Sequence, residues 1–353
     1  MSKLDNLEII KSVDPDGMGD LIYGLPEQCE EAYKIAEDAA PPSGGRPANI
    51  VVLGMGGSAI GGDLVRSFLE QELPVPFIVS RDYSIPRFVG PETLIVASSY
   101  SGNTEETLSA YAEAPARGAR FLAITTGGKL AELARRDNVP LVIIPGGLPP
   151  RAAIGYSFVP TMVILERLGL VASKEAGFTE MVRVLKDLRS QIGPHVPAEK
   201  NLAKQLAERF HGKLPLIYGS QPWKSVVAFR WKTQINENAK AIAFASAFPE
   251  LNHNETVGWE APQNLTKEVE VVLLRDRDDN PRVVKRFEVT SQIMREHVGS
   301  ITEVWSVGAS ALARLFSLLY IGDYTSYYLA IMNDIDPKPV RVIDYLKSQL
   351  AAV

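Results

Sequence analysis

The apolar residues of this chain fall into short continuous runs divided by longer segments of mixed polarity. Asn49–Leu53 (NIVVL), Phe77–Ser80, Thr93–Ala97, Arg120–Thr125 and Val139–Ile144 each predict a buried β-strand. Stretches of helix-compatible sequence separate most of them, among them Glu105–Arg117 and Gly128–Arg136. Continuously apolar strands that alternate with helices predict a parallel sheet covered on both faces. Beyond Arg151 the pattern turns helical, over Val159–Leu170 and Phe178–Ile192, and "GPHVPAE" (Gly193–Glu199) reads as a linker. A second alternation then begins. Leu214–Tyr218, Ile242–Phe244, Val269–Leu274 and Thr302–Val307 predict strands, with helices over Trp223–Asn238 and Ala309–Met332. The expected organisation is a leader with a helix (residues 1–40), a first α/β domain (41–192) and a second (193–353).

A chain of 353 residues is long enough for two such domains. Hydrophobic residues make up 46% and charged residues 22%, the balance of a globular protein with large cores. The net charge of −5 argues against a nucleic-acid partner. No apolar run is long enough to span a membrane, because Arg314, Gly322 and Asp323 interrupt Leu312–Met332. The first residues carry acids and lack the apolar core of a signal peptide. Cys29 is the single cysteine, so intrachain disulfides and cysteine-rich metal sites are excluded. These features together predict a cytoplasmic location.

Two small-residue turns carry the candidate chemistry. "GMGGSAIGGD" (Gly54–Asp63) follows the first strand, and "SSYSGNTEET" (Ser98–Thr107) follows the third. In an open parallel sheet both lie at the carboxyl edge, where ligands bind. Glycines let the backbone approach a ligand closely, and a helix N-terminus beyond them favours an anion. Gly57, Ser58, Ser99, Ser101 and Thr104 therefore form a candidate phosphate cradle that needs no lysine. Two other readings remain for the first turn: a dinucleotide fingerprint, with Asp82 after the second strand, or a helix cap with glycines for tight packing. A nucleotide P-loop is excluded, since no Gly-Lys-Ser/Thr follows. Taken alone, S-G-N-T-E-E is more often an N-cap with a favourable acidic first turn, and its pairing with Gly54–Ser58 at the matching edge favours the cradle.

The pairing of G-M-G-G-S-A with S-x-S-G-N-T-E-E-T resembles the sugar isomerase (SIS) domain, a flavodoxin-like, doubly wound phosphosugar-binding fold. "PRAAIGYSF" (Pro150–Phe158), "NENAKAIAFASAFPELNHNE" (Asn236–Glu255) and "DPKPVRVIDYLK" (Asp336–Lys347) extend the resemblance to the bifunctional phosphoglucose/phosphomannose isomerases, enzymes built of two SIS domains. It covers the chain from about residue 14 onward. It implies a metal-independent aldose–ketose isomerase that interconverts glucose 6-phosphate and mannose 6-phosphate with fructose 6-phosphate through a cis-enediol. No cofactor is implied. A homodimer, each active site completed by the partner subunit, is.

Such chemistry needs a base that moves a proton between C2 and C1, a group that helps to open the ring, and a cation beside the enediolate. Glu237, near the end of a predicted helix, is the base by resemblance; with Lys240 three residues on, it also fits a surface helix pair. His253 sits among polar residues in Asn252–Glu255, and the resemblance assigns it ring opening, reaching into the partner's site. Arg151 follows two prolines at the carboxyl edge and by resemblance stabilises the enediolate; otherwise it caps loop carbonyls. Lys347, on the predicted last helix, is a candidate for ring opening or for holding hydroxyls only by the resemblance. Glu250, His253 and Glu255 are close together but lack a second histidine, so no metal site is expected. The second domain opens with Gly219-Ser220-Gln221-Pro222-Trp223, where a proline and a bulky indole replace the glycines, and it is expected not to hold phosphate. A non-catalytic phosphosugar sensor and another SIS-type sugar-phosphate isomerase are the alternatives.

Overall fold

The computed structural model describes residues 2–350. Residue 1 and residues 351–353, the outermost ends of the expected leader and second domain, lie outside the described residues. The chain forms two compact units. One comprises Gly24–Arg183 with Ala309–Ala313, and the other Met1–Tyr23, Val184–Gly308 and Arg314–Val353. The short helices α1 (Leu7–Val13) and α2 (Met18–Tyr23) come first in the chain and belong to the latter unit.

The Gly24–Arg183 unit opens with α3 (Leu25–Asp38). It continues as β1 (Asn49–Leu53), α4 (Gly56–Leu69), β2 (Phe77–Ser80), β3 (Thr93–Ser98), α5 (Glu105–Glu113), β4 (Arg120–Thr125), α6 (Gly128–Arg136), β5 (Leu141–Ile143) and α7 (Ile154–Arg167). The helix α8 (Glu175–Ile192) follows. The five strands are parallel in the order β2-β1-β3-β4-β5, with Val51 opposite both Ile78 and Ile95. Every residue of β3 is buried, as its unbroken apolar run requires. Val51, Leu53, Ile95, Ala97 and Phe121 pack with Ala110, Tyr111 and Leu130 from the helices.

The run expected to start a helix at Val159 is instead the middle of α7, which begins at Ile154 and contains Pro160. The proline lacks an N–H, and the nearby carbonyl of Ser157 accepts the Thr161 hydroxyl at 3.0 Å. The α7 helix packs on α3. At Gly155 a methyl group would come within 3.1 Å of the Cys29 sulfur, so the two helices meet closely there. Cys29 is wholly buried at this contact, and burial pushes its thiol well above the usual range.

The other unit carries α9 (Leu202–Phe210), β6 (Leu214–Ser220), α10 (Trp223–Ala239), β7 (Phe244–Phe248) and α11 (Gln263–Thr266). After these come β8 (Val269–Arg275), α12 (Pro281–Met294), β9 (Ser300–Trp305), α13 (Ala311–Met332) and α14 (Arg341–Leu350). Its strands are also parallel, in the order β7-β6-β8-β9. Strand β7 begins two residues later than the apolar pattern predicts. The Asn236 amide donates to the Ala241 carbonyl at 2.7 Å, which ties the residues between α10 and β7 back to the helix rather than into the sheet. The middle of α13 is buried on all sides, with Tyr320, Tyr324 and Tyr328 among the largest enclosed side chains. A helix with polar residues buried this way must satisfy them. Asp323 accepts from Arg230 at 2.8 Å and from Gln234 at 2.9 Å, both on α10.

Candidate active site

At the carboxyl edge of the first sheet the two small-residue turns converge. Gly56 has a positive φ of 50° and starts α4, whose N-cap is Met55. Ser58 is buried in the first turn of this helix, where N–H groups point out of the helix end. Gly54 lies against the end of β3: a Cβ there would be 3.0 Å from the Ser98 carbonyl. From β3 the chain passes into Ser99, which is buried and hydrogen-bonds the Thr104 hydroxyl at 2.8 Å. Thr104 is the N-cap of α5, with Glu105 and Glu106 in the first turn.

Between them, Ser101 is exposed and its hydroxyl accepts the Asn103 N–H at 3.2 Å. Gly102 makes the turn possible. Its φ is +69°, and a Cβ would sit 1.9 Å from the Gly127 carbonyl. No other residue type fits there without displacing the 125–128 loop.

Arg151 joins this edge. A short 3₁₀ turn, Pro150–Ala152, follows β5 and presses on the start of α4, so that a Cβ at Gly57 would lie 2.6 Å from the Pro150 carbonyl. Arg151 is 4% exposed and already engaged by neighbouring groups. The structure thus brings together Gly57, Ser58, Ser99, Ser101, Thr104 and Arg151, the six residues that sequence reasoning placed in the first domain.

Glu237, His253 and Lys347 lie in the second unit. Glu237 is half-buried in the last turn of α10, at the wall of a cavity of about 860 Å³. Lys240, Phe244, Asp336 and Val340–Ile343 also line it; His253 and Lys347 do not. His253 ends a 3₁₀ turn, Glu250–His253, and is exposed. Its loop is held from the side: Asn252 donates to the Thr290 hydroxyl at 2.7 Å and accepts from Arg286 at 3.1 Å. Lys347 is exposed on α14. Among the described residues, no group of three or more His, Cys, Asp or Glu stands together as a metal-holding set.

The carboxyl edge of the second sheet has a different character. Ser220 at the end of β6 and Lys224 on α10 both reach the carboxylate of Asp279, at 2.8 and 3.1 Å, and the Asp276 N–H donates to its other oxygen at 3.0 Å. Asp276 in turn accepts from Ser306 at 2.6 Å and Arg314 at 2.9 Å. Burial alone would push the Asp276 carboxyl upward, but these donors, the Asp278 N–H and the Lys224 and Arg314 cations hold it below the usual range. Sequence reasoning missed this cluster. Its signal was "RDRDDN" directly after a buried strand, a run that otherwise reads as a solvated loop.

Two tandem parallel-sheet units, one with a hydroxyl and amide cradle, define a protein of the SIS class. Residues 46–169 match the SIS domain family, and residues 199–350 match the family described as the bacterial phospho-glucose isomerase C-terminal SIS domain. A bifunctional phosphoglucose/phosphomannose isomerase of Caldicellulosiruptor bescii is 47% identical over 95% of this chain and 99% of its own. That of Thermoplasma acidophilum is 40% identical over 86% of this chain and 90% of its own. A solved structure, a glucose-6-phosphate isomerase like protein from Thermus thermophilus, superimposes with a TM-score of 0.64 at 22% identity, covering 96% of this chain and 98% of that one. The chain belongs to the bifunctional phosphoglucose/phosphomannose isomerase family.

Proposed function

We propose that this protein interconverts glucose 6-phosphate and mannose 6-phosphate with fructose 6-phosphate, without a metal or cofactor. The observation that carries the reading is the cradle at the first sheet edge, with a buried arginine set beside it. The phosphate accepts hydrogen bonds from the Ser99, Ser101 and Thr104 hydroxyls and from N–H groups at Gly57 and Ser58. Once the ring is open, the Glu237 carboxylate takes the proton from C2. The C2–H electron pair forms the C1–C2 double bond, and the C1 carbonyl becomes an oxyanion that Arg151 stabilises. The O2 proton passes to O1, and the proton on Glu237 returns to C1, which leaves the ketone at C2. Rotation of the enediol about its C2–C3 bond turns its other face to Glu237, and return of the proton to C2 on that face yields the mannose epimer. His253 and Lys347 assist ring opening.

A homodimer fits this reading. The helix α14 has no buried residue, and Val342, Tyr345, Leu346 and Leu350 form an exposed apolar stripe at i, i+3, i+4 and i+8. Near its start, Ile242 and Phe244 are also exposed. A second copy covers this surface and brings its own His253 to the site. We further propose the domain division 1–40, 41–192 and 193–353, and a cytoplasmic location. The latter agrees with the absence, among the described residues, of any helix long and apolar enough to cross a membrane.

The test is conversion of fructose 6-phosphate in EDTA, with both aldose products quantified for the wild type and for Glu237→Gln. Formation of both products, and the loss of both in the variant by about 10²–10⁴-fold, is expected. If neither aldose forms, the cradle serves a sensor rather than an isomerase.

A further inference from the structure

We propose that Lys240 is a positioning residue of the isomerisation site, a clamp that holds the turn carrying Glu237 against the segment leading into α14. This rests on the reading of Glu237 as the proton-transfer base. Lys240 follows the last residue of α10 and takes a left-handed conformation, φ 51° and ψ 32°. Glycine is the usual residue at this place beyond a helix, and a lysine there is strained. The strain is held by what the side chain does. Its ammonium donates to the carbonyls of Glu237 at 2.9 Å and Asn238 at 3.2 Å, and to those of Asp336 at 2.9 Å and Pro337 at 3.0 Å.

Four carbonyls converge on a group with three N–H bonds, two from each of two chain segments. One pair ends α10. The other precedes Pro339–Ile343, which line the same cavity as Glu237. A single cation therefore joins the segment that carries the base to a second segment lining the same cavity. A left-handed backbone is what turns the Lys240 side chain back over the helix end, where an ordinary C-terminal glycine leaves the carbonyls to water or to main-chain N–H groups.

The body of α10 is secured without Lys240. Arg230 and Gln234 bind Asp323, and Asn238 donates to Ser326 at 3.0 Å. Removing the lysine thus spares the helix and frees only its last turn and residues 336–337. A displacement of the base on the scale of an ångström costs turnover rather than substrate affinity, because the phosphate is held elsewhere in the chain.

The experiment compares Lys240→Gly, Lys240→Met and Glu237→Gln with the full-length wild type. It reads kcat, KM for fructose 6-phosphate, the pH profile of kcat, the melting temperature and hydrogen exchange over residues 334–343. For Lys240→Gly, which relieves the backbone strain, the expected result is an unchanged or higher melting temperature. Its kcat falls about 10–100-fold, KM stays within about twofold, the pH profile keeps its shape and exchange in 334–343 rises. Lys240→Met, which keeps the aliphatic stem, shows the same loss of kcat. Wild-type kcat in Lys240→Gly overturns the proposal and leaves an ordinary helix cap. Loss of one limb of the pH profile also overturns it, since Lys240 then acts directly in proton transfer. If Glu237→Gln keeps full turnover, the base assignment fails and the clamp fails with it; if only Lys240→Gly is silent, the base assignment stands.

Discussion

The two sheets of this protein place their switch points alike and treat them in opposite ways. In the first, the ends of β1 and β3 carry glycines, hydroxyls and helix N-termini, and the Ser99 and Thr104 hydroxyls hydrogen-bond each other at 2.8 Å. In the second, the ends of β6 and β8 carry a hydroxyl, an ammonium and a backbone N–H, and the Asp279 carboxylate takes all three. A hydroxyl, a cation and an amide are the donors a phosphate would use. The second edge is thus an anion site filled by the chain itself. An anion-binding edge needs positive potential that the fold leaves unspent. Where the fold neutralises it internally, the same topology becomes a structural joint.

The largest effect should come from emptying the second edge. Asp279→Ala takes from the buried Lys224 the carboxylate it contacts at 3.1 Å and is expected to cost about 3–5 kcal/mol, read by denaturant unfolding. Added inorganic phosphate should restore part of that loss, and wild-type stability should be indifferent to it through this edge. No recovery in phosphate would break the likeness between the edges. Next is Gly102→Ala, which requires a methyl where the Gly127 carbonyl stands 1.9 Å away, in a backbone conformation with φ +69°. It should destabilise the first unit by about 1–3 kcal/mol and abolish phosphosugar binding, as measured by calorimetric titration.

A milder probe is Ser99→Ala. Loss of one hydrogen bond to a charged phosphate should raise KM about 10-fold while the melting temperature moves little. The smallest effect is electrostatic. Asp276 has a depressed pKa in the fold, so its contribution to stability is complete above the unfolded carboxylate value of about 3.9 and is lost as pH falls through the lower folded value. Melting temperature should drop below pH about 4, and Asp276→Asn should flatten that fall. A wild-type-like acid profile in the variant would remove Asp276 from the account.

The first edge was legible because its chemistry is local. Strands β1, β2 and β4 are unbroken or nearly unbroken apolar runs that stop at small residues, and their limits follow from the pattern to the residue. The proposed cradle lies in the two turns right behind such runs. The second edge was not legible, because Lys224, Asp279 and Arg314 are far apart in the chain and only the fold joins them. Helices α9 and α12 escaped for related reasons. The buried face of α9 includes Lys204, fully enclosed and bound to Asp5 and the Pro194 carbonyl, which a hydropathy pattern counts as polar. The helix α12 buries Phe287, Thr290 and Met294 but leaves Val289 and Ile293 exposed, so its apolar residues do not all mark the buried face. Lys240 was visible only as a charge three residues from Glu237. Its left-handed backbone and four carbonyl partners have no signature in residue type.

The enclosed thiol of Cys29 has one more consequence. With a single cysteine in the chain, sealed between α3 and α7 and held in its unreactive protonated form, the folded protein offers nothing to a thiol-specific reagent. Every labelling event must wait for α3 to lift from α7. The rate of one colorimetric reaction is therefore a stopwatch on the opening of that helix pair, read in the unaltered protein.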